Sequence, residues 1–179
     1  MVLKASLSSS SWSFPLSTSE LSELELCLSV LFAQEYPQVL THGDLSLTNV
    51  LVDENTHEIT GIVDWSLASI FPFGLELDTL YLTTGYMDLG GWHDYSCRER
   101  LHQSFWNEFW SVSGIGDDED KNKGRRKRIR DMAEKAAKIG AILRYAFRRN
   151  ADGSPSEELV SEGKSSSARY LRAWLTPSL

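Results

Sequence analysis

Cysteine is scarce: Cys27 and Cys97 are the only two, and they stand far apart, with no Cys-x-x-Cys spacing and no paired histidine. That excludes a disulfide framework and a zinc site of ordinary spacing, and it fits a reducing, cytoplasmic setting. Long apolar runs are missing too. The stretch from Met1 to Ser11 has no sustained hydrophobic centre, so it reads as neither a signal peptide nor a membrane span. Glycine is absent before Gly43, and Lys4 is the sole basic residue ahead of it. A glycine-rich loop that cradles phosphates, with a lysine to pair them, therefore has no place upstream of Gly43.

What is present suffices for one core. A chain of 179 residues with 41% hydrophobic and 11% aromatic content can bury one sizeable interior, though not two full lobes. The net charge of −7 hides an asymmetry. Residues 121–149 hold twelve of the eighteen Lys and Arg and two of the twenty-five acids, a net of +10 against −17 for the rest. The acidic body is compatible with a cationic substrate. The basic run from Lys121 to Arg130 opens an amphipathic pattern and reads as its solvated face rather than a nucleic-acid patch.

Ser17 and Glu20 have capping-box spacing, and Leu21, Leu24, Leu28, Leu31 and Phe32 follow at helical intervals until Pro37. Two short β-favouring runs come next, Asn49 to Asp53 and Glu58 to Asp64, and read as a hairpin. Helix returns from Leu75, with Leu101, Phe105 and Phe109 spaced by four. Gly114 and Gly116 with the acids Asp117 to Asp120 make a solvated break. Ile129, Met132, Ala136, Ile139, Leu143 and Phe147 then predict a second helix, ended by Asp152-Gly153-Ser154-Pro155. The expected organisation is a Ser-rich disordered leader over 1–18, a lobe over 19–149, a flexible linker over 150–168 and a short helical segment over 169–179.

The chemistry gathers at the hairpin. His42-Gly43-Asp44 is followed by Asn49, and Asp64 ends the returning strand before Trp65. If the hairpin closes symmetrically around Thr56 and His57, Asp53 pairs with Thr60, Leu51 with Ile62, and Asn49 with Asp64. Directly opposed side chains share a face with Cβ atoms roughly 5 Å apart, so an amide oxygen and a carboxylate would converge there. Such oxygens suit a hard cation such as Mg²⁺, and Asp44 lies on the connection leading into the first strand. His57 reads as a turn residue, and His93 and His102 as packing or surface groups. The aromatics Tyr81, Tyr86, Trp92, Tyr95, Trp106 and Trp110 fit a core or a pocket lining.

The segment Thr41-His42-Gly43-Asp44-Leu45-Ser46-Leu47-Thr48-Asn49-Val50-Leu51-Val52-Asp53, with Gly61-Ile62-Val63-Asp64-Trp65, resembles the aminoglycoside phosphotransferase and choline kinase-like family, which has a protein kinase-like fold. Ile70-Phe71-Pro72-Phe73-Gly74-Leu75 and Gly91-Trp92-His93 resemble a fungal branch of it. The resemblance implies Asp44 as catalytic base with His42 supporting its loop. It implies Asn49 and Asp64 as ligands of magnesium, and so as binders of Mg²⁺ with ATP. Asp78, Trp92 and Trp106 are candidates for the substrate pocket. Ser66-Leu67 depart from the acid or alanine usual after Asp64-Trp65, and Asp78 stands where the branch often has an uncharged residue.

The implied fold class is α+β, mainly helical, the C-terminal lobe of a kinase-like fold with a hairpin carrying the metal ligands and the N-terminal β lobe absent. The expected function is an ATP- and Mg-dependent transfer of phosphate to a small hydroxyl-bearing substrate. A lone lobe would be weakly active or completed by a missing N-terminal lobe or another chain. The other reading is a non-catalytic remnant that binds a ligand or partner.

Overall fold

The computed structural model describes residues 16–115, 119–151, 155–160 and 166–175. Five helices among them are α1 (Thr18–Leu31), α2 (Leu77–Leu82), α3 (Arg98–Val112), α4 (Glu119–Tyr145) and α5 (Ser166–Leu175). Eight strands pair as four separate antiparallel ribbons. These are β1 (Gln38–Thr41) with β4 (Ser69–Pro72), β2 (Val50–Val52) with β3 (Ile59–Ile62), β5 (Gly85–Met87) with β6 (Trp92–Asp94), and β7 (Phe147–Arg149) with β8 (Pro155–Leu159). The class is α+β, compatible with a kinase-like fold.

The capping box starts α1. The Ser17 amide donates to Glu20 Oε2 at 2.7 Å, and the Glu20 amide donates to Ser17 Oγ at 3.3 Å, satisfying two of the first-turn donors. The Ser17 hydroxyl, which donates to Glu20 Oε2 at 2.6 Å, and then the Ser17 amide hold the Glu20 carboxyl below its ordinary range. Leu24, Cys27 and Leu31 are buried, whereas Phe32, expected on the packed face, is 60% exposed because the helix has ended. Gln38 Nε2 donates to the Leu31 carbonyl at 2.8 Å, taking one of the orphan acceptors at that end. Leu16 is buried and Ser17 is the cap, so the tail of the segment expected as a leader belongs to the body. Residues 1–15 lie outside the described ones.

Helix α4 is the centre of the core. Ala133, Ala136, Ala137 and Ala141 have no exposed surface, and such small side chains let α1, α2 and α5 approach closely. Ile139, Ile142, Leu31, Leu171 and Leu175 fill the space between them, each contributing roughly 1.5–3 kcal/mol by burial. The helix ends at Tyr145, short of the expected stop: Phe147 belongs to β7, and the Val160 amide donates to the Ala146 carbonyl. The segment expected as a linker accordingly contains β8 and the start of α5. The acidic break falls partly at residues 116–118, outside the described ones.

On its basic first half, α4 turns arginines onto the aromatics of α3. Arg126 lies over Trp110 and Arg130 over Trp106, each 5.5 Å from the ring centroid. Cation–π contacts of this kind engage charges that the sequence pattern alone would leave solvated. Trp106, 2% exposed, packs edge-on against Phe73 and Phe109. The β5–β6 hairpin interrupts a stretch expected to be helical. Its strands are three residues each, too short to show alternation, and its turn is tied by Asp88 Oδ1, which accepts from the Gly90 and Gly91 amides.

No helix of the described residues is long and apolar enough to cross a membrane.

Candidate functional site

The loop after β1 is built around a glycine. Gly43 has φ +82°, and a Cβ there would stand 2.3 Å from the Leu67 carbonyl oxygen, so both the backbone twist and the close approach require glycine. The twist carries the chain from buried His42 to exposed Asp44 in two residues.

His42, 3% exposed, ties this loop to the end of the hairpin. Its Nδ1 accepts the Asp44 amide at 3.3 Å, which leaves Nε2–H to donate to the Val63 carbonyl at 2.7 Å. Trp65 covers the imidazole with ring centroids 4.8 Å apart. One ring thus joins the Asp44 backbone to the residue before Asp64.

A second support comes from Glu76, which sequence reasoning missed. Its carboxylate accepts the His42 amide at 2.8 Å and the Leu45 amide at 3.3 Å, straddling Gly43 and Asp44. Such charge-assisted bonds to backbone amides are among the stronger ones. The available signal was Leu75-Glu76-Leu77-Asp78, two acids in an apolar stretch that must find donors if buried.

The hairpin register differs from the symmetric one. Val50 pairs with Ile62 and Leu51 with Gly61, but Val52 pairs with Ile59, so Thr60 is an extra residue on the returning strand. Asp53 Oδ1 accepts the Asn55 and Thr56 amides, His57 takes a left-handed φ of 59°, and the Asp53 amide donates to Glu58. This side-chain-closed turn sets a four-residue loop rather than closure around Thr56 and His57. Asn49 consequently meets Val63, whose amide donates to the Asn49 carbonyl at 3.0 Å, and Asp64 lies one residue beyond. A one-residue slip reverses faces. Asp64 itself takes a left-handed backbone, φ 63°.

Asn49 Nδ2 donates to the Asp44 carbonyl at 2.9 Å, leaving the side-chain oxygen as its acceptor end. Asp64 is exposed, and its Oδ1 accepts from Ser66 Oγ at 2.8 Å, a role for the residue that departs from the family pattern. One amide oxygen and one carboxylate are hard donors that fit Mg²⁺ completed by water and phosphate oxygens. Among the described residues no group of three or more His, Cys, Asp and Glu is placed to hold a metal.

Asp44 and Asp64 are solvent-facing, and His42 and Asn49 are bonded to the Asp44 backbone, whereas the three candidates for the substrate pocket have other partners. Asp78 has no exposed surface and pairs with Arg144, whose Nε lies 2.9 Å from its Oδ2. Burial pushes the Asp78 carboxyl up to about 6, against the opposing pull of Arg144 and the Thr79 amide. Trp106 belongs to the aromatic cluster of α3, and Trp92 donates to Asp94 Oδ1 and lies against Tyr170. His57 is a turn residue, His93 pairs with Asp88, and His102 packs on Tyr81.

The model of the phosphotransferase enzyme family matches residues 12–105, slightly more than half of the chain. No curated protein and no solved structure matches it.

Proposed function

The chain belongs to the phosphotransferase enzyme family, and from that premise we propose that it is the catalytic lobe of a kinase-like, ATP- and Mg-dependent transferase of small hydroxyl-bearing substrates. The observation that carries this reading is the bond from Asn49 Nδ2 to the Asp44 carbonyl, which couples a candidate metal ligand to the candidate base.

Asp44 is the acceptor in the proposed reaction. Its exposed carboxylate takes the hydrogen bond of the substrate hydroxyl and turns the oxygen toward the γ-phosphorus. The new O–P bond forms as the bond to the β,γ-bridging oxygen breaks, ADP leaves, and the hydroxyl proton passes late to Asp44. A carboxylate is a weak base near neutrality, but a loose transition state asks mainly for orientation. Magnesium, when bound, neutralises phosphate charge, and Asn49 and Asp64 are the residues that would hold it. His42 and Glu76 keep the loop in place from beneath.

The hairpin supports a further part of the reading. Leu51, Val52, Ile59 and Ile62 are 39–67% exposed on a two-stranded ribbon, an arrangement of marginal stability by itself. We propose that a nucleotide-gripping element, a β lobe or another chain, covers it, and that the present chain alone binds ATP weakly. Cytoplasmic ATP would supply the reaction.

The test is ATP turnover with Mg²⁺ by this chain joined to a kinase-like N-terminal β lobe, against aminoglycoside, choline-like, sugar and amino-acid alcohol acceptors, with Asp44→Asn alongside. Transfer that Asp44→Asn abolishes is the expected result. Transfer unaffected by that change overturns the assignment, and Mg-ATP binding without any transfer favours a ligand-binding module instead.

A further inference from the structure

Arg144 lies outside the residues matched by the family model, on the last turn of α4, where a helix C-terminus favours a cation. Its guanidinium faces three carboxylates at graded distances and depths. Nε reaches Asp78 Oδ2 at 2.9 Å, Nη1 reaches Asp44 Oδ1 at 3.5 Å, and Nη2 reaches Glu76 Oε1 at 3.8 Å. Asp78 has no exposed side-chain surface, Glu76 is 16% exposed and Asp44 55%.

The distances assign different roles to the three contacts. At 2.9 Å the Asp78 bond is a charge-assisted hydrogen bond that anchors the planar fork. At 3.5 and 3.8 Å the others are electrostatic attractions without hydrogen-bond geometry. Asp44 is thus drawn toward one orientation while its lone pairs stay available to a hydroxyl. Glu76 is held in the same field, and Glu76 in turn accepts the amides on either side of Gly43 and Asp44. Without the guanidinium, three carboxylates would face one another, and repulsion would turn Asp44 away and loosen Glu76.

We propose that Arg144 is a positioning residue for phosphoryl transfer, with Asp78 as its buried anchor: it orients the Asp44 carboxylate directly and the Asp44 loop through Glu76. The inference rests on the reading of Asp44 as the hydroxyl acceptor. It also gives Asp78 a task that is not substrate contact.

A double variant, Arg144→Gln with Asp78→Asn, separates positioning from folding because it leaves neither charge buried alone. The measurements are amide hydrogen exchange at His42 and Leu45 by NMR, the melting temperature, and ADP release from Mg-ATP. Positioning predicts roughly tenfold or faster exchange at those two amides, with the melting temperature and the exchange of the α4 amides kept. It also predicts a kcat lowered by about 10- to 100-fold at an unchanged KM for Mg-ATP. Asp78→Asn alone should sit between the double variant and the parent chain. Unchanged exchange and unchanged kcat in the folded double variant would reduce Arg144 to a counter-charge for Asp78 and overturn the proposal. Should that variant not fold, Arg144→Lys decides: it keeps a charge for Asp78 but has no fork, and parent-like exchange at Leu45 overturns the proposal. A parent chain that releases no ADP fits the weak nucleotide binding of a lone lobe, and the exchange measurement then decides the role of Arg144 by itself.

Discussion

His42 Nε2 and the Val63 carbonyl oxygen are 2.7 Å apart, a single bond joining the loop that carries Asp44 to the strand end that presents Asp64. The same ring accepts the Asp44 amide and lies against Trp65. His42→Ala should therefore lose two hydrogen bonds and a ring contact at once, destabilising the chain by about 2–4 kcal/mol. Urea denaturation measures this, and a loss below about 0.5 kcal/mol, the range of ordinary surface changes, would show that the loop does not depend on the ring.

Asp78 predicts an unusual pH dependence. Its carboxyl is raised from 3.8 to about 6 by burial first, with Glu76 adding to the rise and Arg144 opposing it. Between those values the folded chain holds a proton that the unfolded chain has released. Stability contributed by this group should thus fall as pH rises from about 4 to about 6 and level off above, by on the order of 3 kcal/mol at most. Asp78→Asn should flatten that component. Melting temperatures of both chains across this window provide the comparison, and parallel curves would contradict the buried titration.

Gly140 sets how closely α4 meets the segment before α2. A Cβ at this position would lie 1.8 Å from the Leu75 carbonyl oxygen and 3.4 Å from Asp78 Oδ1. Gly140→Ala adds about 1 kcal/mol of helix propensity, yet the backbone overlap should cost more, leaving a net loss of about 2–3 kcal/mol. An alanine variant as stable as the parent in chemical denaturation would disprove this close approach.

Asn49 has two separable ends. Asn49→Asp keeps an oxygen for a cation but removes the donor to the Asp44 carbonyl, and Asn49→Ala removes both. Titration with Mn²⁺ as a paramagnetic probe should show broadening at Asp64 retained in the first and lost in the second. With ATP present, Asn49→Ala should weaken metal-dependent nucleotide binding by about tenfold or more. Equal behaviour of the two variants would argue that Asn49 serves the loop alone.

How much of this was legible beforehand differs from element to element. The capping box of Ser17 and Glu20 was readable because both partners lie within one turn, and the amphipathic pattern of α4 because its period repeats over many residues. The hairpin was readable as an element but not in register. Its closure depended on the Asp53 side chain and an extra Thr60, each a local bonding choice that alternation does not encode. The β1–β4 pair escaped notice because its strands are four residues long and separated by the whole hairpin.

The sequence by itself determined which chemistry stands in the loop: His42, Asp44, Asn49 and Asp64 occur at a spacing that short-range geometry brings near one hairpin. Tertiary structure alone decided what holds them. Glu76 beneath the loop and Arg144 beside Asp44 come from distant parts of the chain, and Arg144 meets Asp78 across 66 positions. Sequence period shows that α4 has a buried face; only its packing, made close by Gly140, selects which of its many cations enters the acidic centre.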